Sequence, residues 1–167
     1  RAALGDGAHV AAGTLVACRR AEGELANAAG DPVRAIERIE AALRAQGDSR
    51  SPQHAVLLGF LAYLHGQSGD LARAEALHRQ LQAQDASLGR SDTQGDLRNR
   101  RALAELLDAR GQPREAQAML DAIAARAQGI AADGALPLWL ELPRARVRAR
   151  LGDGAGAEAQ LRAAAEH

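Results

Sequence analysis

Apolar residues in the stretch 32–46 recur at helical spacing: Val33, Ile36, Ile39 and Leu43 fall on one face. Signals for an end and a start stand directly ahead of them. Gly30 suits the position just past a helix end, because it adopts positive φ at little cost. Asp31 can accept hydrogen bonds from the free amides of a new helix, and Pro32 fits its first position. The phrase "AGDPVRAIERIEAAL" (29–43) therefore predicts a tight turn between two antiparallel helices.

The same phrase recurs. Gly30-Asp31-Pro32, Gly69-Asp70-Leu71, Gly111-Gln112-Pro113 and Gly152-Asp153-Gly154 are spaced by 39, 42 and 41 residues. Five residues after each glycine stands an alanine: Ala35, Ala74, Ala116 and Ala157. Seven before it stands a small residue: Gly23, Ala62, Ala104 and Ala145. Five before it stands an aliphatic: Leu25, Leu64, Leu106 and Val147. Nine after it come Ile39, His78, Leu120 and Leu161, with His78 the departure. A small residue on each helix of a pair predicts a close crossing, where a larger side chain would force the helices apart. A fixed period of this length is the signature of a repeat architecture.

Eight helices in four pairs follow: about 8–28 with 32–46, 52–66 with 71–87, 92–110 with 113–128, and 137–151 with 155–166. The repeats are then about 8–46, 52–87, 92–128 and 137–166 of a single domain, 1–167. The stretch LLGFLAYL (57–64) is apolar on all faces and is expected to be buried by neighbours on both sides. Residues 47–51, 89–91 and 132–134 read as loops between pairs. Pro143 falls inside the seventh helix and either kinks it or delays its start.

Composition agrees with an all-α chain. Alanine (41) and leucine (23) supply over a third of 167 residues, while Phe, Tyr and Trp occur once each. All 21 basic residues are arginine, balanced by 21 acidic ones, so bulk charge calls for neither nucleic acid nor an anionic membrane surface. A lone Cys18 forms no internal disulfide. No apolar run is long enough to span a membrane, and no membrane insertion is expected. The chain starts at Arg1 and shows no signal peptide, so a fragment of a longer protein is expected, with a cytoplasmic location.

Chemistry is hard to find. "GDGAGA" (152–157) contains Gly-x-Gly-x-x-Ala, but it follows a helical segment where a dinucleotide site requires a strand, and it coincides with the fourth turn. His9, His54, His65, His78 and His167 lack metal-ligand spacing, although His65 and His78 flank one turn. No nucleophile-elbow, phosphate-loop or kinase signature is present. No catalytic residue, metal or cofactor is expected. In the run Arg144, Arg146, Arg148 and Arg150, helical phase puts 144 and 148 on one face and 146 and 150 nearly opposite. That is no single basic stripe of the kind nucleic-acid binding uses.

With these columns the chain resembles a tetratricopeptide repeat (TPR) array of the long-period, kinesin-light-chain-like bacterial type. The small–x6–Gly–Asp–x3–Ala spacing carries the likeness, as do the leads "ALG" (3–5) and "SLG" (87–89). The family's early aromatic is missing from three repeats, and only Trp139 lies near it. The resemblance implies a right-handed α-solenoid of four helix pairs whose first helices line a concave groove. It also implies binding of proteins or peptides. In that register the groove residues are Arg20, Glu24 and Asn27; Tyr63 and Gln67; Arg98, Arg101, Glu105 and Asp108; and Trp139, Arg146 and Arg150. Arginine forks and exposed aromatics suit an extended, acidic peptide. The same arginines could instead pair with Glu24, Glu105 and Asp108 along the groove. The expected role is a non-catalytic interaction module. The alternatives are a regulatory or sensor domain of a larger kinase or transcription regulator, or a self-assembling module.

Overall fold

The computed structural model describes residues 2–91, 93–128 and 137–165, with side chains from residue 13 onward, Gln128 excepted. The leads at 3–5, His9, His167 and the expected loop at 132–134 thus lie outside the described residues or side chains. Eight helices are present among the described residues: α1 Ala2–Ala28, α2 Pro32–Gln46, α3 Pro52–Gln67, α4 Leu71–Ser87, α5 Gln94–Ala109, α6 Pro113–Gln128, α7 Leu138–Arg150 and α8 Gly154–Ala165. The described residues include no strand. α1 begins six residues earlier than its apolar pattern suggested, because nothing in 2–7 breaks a helix. Two compact units result, 1–84 and 85–167.

The four corners share one construction. Gly30, Gly69, Gly111 and Gly152 all have positive φ, between 77° and 98°. The next residue's amide then donates back to a carbonyl five residues earlier: Asp31 to Ala26, Asp70 to His65, Gln112 to Leu107 and Asp153 to Arg148. Each closes a Schellman-type helix end. In three corners the same residue also opens the next helix. The carboxylates of Asp31, Asp70 and Asp153 accept from the amides of Arg34, Arg73 and Gly156 at 2.9–3.0 Å. The Gly156 amide, and after it the Arg148 guanidinium, hold the Asp153 carboxyl below the usual carboxylate range. Gln112 has no carboxylate; its side-chain amide donates to Glu115 instead.

Between the corners lies the predicted crossing. Gly23, Ala35, Ala62, Ala74, Ala104, Ala116, Ala145 and Ala157 are all buried. At Gly23 the approach is closest, since a Cβ there would stand 2.7 Å from Ile39 Cδ1 and 3.3 Å from the Ala35 carbonyl. The first unit's core gathers Ile39, Leu57, Leu58, Leu61, Leu64 and Leu77 around its crossings. In the second unit Leu103, Leu107, Leu120, Ile123, Leu140 and Val147 are buried to within 1%.

Three apolar expectations need correction. Leu25 is 71% exposed, whereas its counterparts Leu64, Leu106 and Val147 are buried. Val33 is 67% exposed, because α2 turns Ile39 and Ala42 inward and half-buries Ile36 and Leu43. α3 is not buried all round: Val56 and Tyr63 are about half exposed. Pro143 does not delay α7, which starts after Pro137 and carries Pro143 inside.

Overpacking the crossing is the direct test. Ala116→Leu, at a fully buried site facing Ala104, is expected to cost about 1–3 kcal/mol. The exposed neighbour Ala118→Leu should change stability by less than about 0.5 kcal/mol. Urea unfolding followed by helical circular dichroism measures both.

Candidate functional site

The second unit holds most of the chemistry. α5 and α7 lie side by side, and the residues predicted to face inward meet across them. The Arg101 guanidinium lies over the Trp139 ring, 5.8 Å from its centroid. It pairs with Glu105 at 3.3 Å, and its Nη1 donates to the Trp139 carbonyl at 3.4 Å. The last contact has a covalent cause. Pro143 has no N–H, so the carbonyl four residues back, that of Trp139, is left without its helical partner. Arg101 takes that place and is held flat against the indole.

Asp108 is not an open groove residue, as the sequence register suggested. Its side chain is 2% exposed, with Arg150 Nη1 at 3.3 Å and Arg146 Nε at 3.8 Å. Arg150 also donates to the Asp108 main-chain carbonyl at 3.1 Å. The arginine run thus divides by helical phase. Arg146 and Arg150 turn to Asp108, Arg144 pairs with Asp121 of α6 at 2.9 Å, and Arg148 pairs with Asp153 at the corner.

A depression of about 700 Å³ opens beside this cluster, with Arg101, Glu105, Trp139 and Arg146 on its α5–α7 side. Leu142 and Leu161 line its α7–α8 side. Arg98 is exposed on α5 and has no ion pair among the described residues. Four arginines (98, 101, 146 and 150) therefore share this surface with two acidic residues, Glu105 and Asp108.

The first unit is less developed. Arg20 and Glu24 form an exposed pair at 2.7 Å on α1. They border a shallow depression of about 260 Å³ with Gly13, Val16 and Gln53. Asn27 is half-buried, and Gln67 is exposed at the end of α3. Tyr63 is half exposed and stacks on Phe60 with centroids 6.0 Å apart. His65 sits 3.6 Å from Asp70, while His78 is buried on α4. No group of His, Cys, Asp or Glu among the described residues could hold a metal. No described helix is long and apolar enough to cross a membrane.

Sequence reasoning overlooked Glu141. It is buried, pairs with Arg144 and accepts from the Gln160 side chain, tying α7 to α8. A carboxylate three residues ahead of an arginine was the available signal. Leu142 and Leu161 were also overlooked as lining, because aliphatics on a helix read as core.

No protein-family model matches the sequence, and no curated protein matches it significantly. Solved structures do. A kinesin light chain of Podosopora anserina with nearly identical TPR-like repeats superposes with a TM-score of 0.77 and 24% identity, over 90% of this chain and 73% of that one. A second structure of that protein gives 0.73 and 24%, over 88% and 72%. BtubC (BKLC) from P. vanneervenii gives 0.79 and 21%, over 93% of this chain and 63% of that one. The fold is that of a kinesin-light-chain-like TPR array, an all-α solenoid architecture.

The burial difference between the two acids gives a prediction. Asp108→Ala removes a buried acceptor shared by two arginines and should cost about 1–3 kcal/mol. Glu105→Ala removes a half-exposed i,i+4 pair and should stay within about 0.5 kcal/mol. Urea midpoints of the two variants, compared with the parent chain, check this.

Proposed function

We propose that the chain is a non-catalytic protein-interaction module, and that the α5–α7 side of the second unit binds a peptide segment carrying carboxylates. The observation that carries this reading is the Arg101–Trp139 pair. A guanidinium fixed over an indole, with one edge free, offers a flat apolar platform and a charge-assisted donor at one point. Its order is already imposed by Glu105 and the Trp139 carbonyl, so little rotamer entropy remains to be lost on binding.

Charge supports an acidic partner. Asp108 is buried and occupied by Arg146 and Arg150, and Glu105 is occupied by Arg101. Arg98 stands exposed on the same helix with its charge uncompensated. The excess positive charge attracts carboxylates and speeds encounter, more strongly at low salt. The solved structures support the general role through their fold.

Trp139 is the single tryptophan and reports on its own site. Titration with a fluorescein-free 12-residue peptide of alternating Glu and Leu should shift its emission, and affinity should fall as salt rises. Arg98→Ala with Arg101→Ala should weaken binding by roughly tenfold or more while helical content is kept. Equal affinity in the double variant, or equal binding of an alternating Arg and Leu peptide, would contradict the proposal.

A further inference from the structure

The joint between the third and fourth helix pairs supplies a template. Three side-chain contacts define it, each at a fixed offset from a corner glycine. Arg101, ten before Gly111, meets Trp139, thirteen before Gly152. Asp108, three before Gly111, meets Arg150, two before Gly152. Asp121, ten after Gly111, meets Arg144, eight before Gly152. The face of the third pair is thus read, position by position, by the first helix of the fourth.

The fourth pair presents the equivalent face uncovered. At the same three offsets stand Leu142, Ala149 and Arg162, all exposed. The reading face of the first pair, on α1, is uncovered as well. At its three offsets stand Ala17, Ala28 and Glu22, again all exposed. Matching the two sets gives Leu142 with Ala17, Ala149 with Ala28, and Arg162 with Glu22. The polar partners of the template have become apolar together on both faces. In the one remaining contact the charges have exchanged sides and stay opposite. Two further α1 positions agree. Leu25 is 71% exposed, where Leu64, Leu106 and Val147 are buried. Cys18 is exposed, where Leu57, Asn99 and Leu140 are buried.

We propose that the α7–α8 face of one molecule receives the α1 face of a second copy of this chain, head to tail, with Glu22 against Arg162 and Leu25 buried in the joint. Complementarity at three of three template positions singles out a second copy among the possible occupants. The contact is heterologous, so each added molecule leaves one face of each kind free, and growth continues unless a ring closes. Glu22 now pairs with Arg19 and Arg38, and Arg162 with Glu158; all are exposed pairs that can exchange partners. The proposal does not use Arg98 or Arg101 and stands apart from the peptide reading.

Sedimentation velocity over a concentration series tests it on the full chain. Mass is expected to rise with concentration. Leu25→Arg should move association to concentrations about tenfold higher or more, with helical circular dichroism unchanged because Leu25 is exposed in the single molecule. Glu22→Arg and Arg162→Glu should each weaken association, and the two together should restore it. A chain monomeric at every concentration would overturn the proposal. So would association indifferent to Leu25→Arg, or a double variant no better than the singles.

Discussion

The structure depends on how closely the two helices of each pair can approach. Where they cross, the chain places an alanine opposite alanine, or Gly23 opposite Ala35, and nothing larger. A small crossing lets backbones come near and brings the flanking leucines of both helices into contact around it. A domain with three aromatic residues has few large side chains with which to fill gaps. Close approach, rather than bulk, must therefore exclude water. The corner glycines serve the same end. With positive φ and a hydrogen bond back across five residues, each corner reverses the chain at once, so the second helix starts already aligned with the first.

Much of this was legible in the residues. The four corners, the small-residue columns and seven of the eight helix starts follow from glycine conformation, capping chemistry and spacing, which are local properties. The departures are where burial depends on what lies beyond a helix. Leu25 obeys the aliphatic column of the repeat yet stays exposed, since no described helix covers that face of α1. Val33 looks like the start of an apolar stripe, but the rotation of α2 is set by Ile39 against Gly23, and that leaves Val33 in solvent.

The candidate site was legible only as a set of positions. Periodicity identified Arg101, Asp108, Trp139, Arg146 and Arg150 as neighbours on one face. It could not tell an arginine engaged by a buried Asp108 from the uncompensated Arg98, because pairing is decided by angles and distances between helices. Nor did it connect Pro143 with Arg101. A proline read as a helix irregularity turns out to free the carbonyl that fixes the cation over the indole. The face is specialised by such exchanges of one polar contact for another on an invariant frame, and the same frame allows its unfilled positions to be compared across repeats.

The account stands or falls on the corners being built alike. Hydrogen exchange resolved by NMR reads this at four amides, those of Asp31, Asp70, Gln112 and Asp153, each donating to the carbonyl five residues earlier. All four are predicted to exchange far more slowly than in an unstructured peptide, even though they sit in turns. Exchange at unstructured rates at two or more of them would contradict a fold of repeated, glycine-locked hairpins.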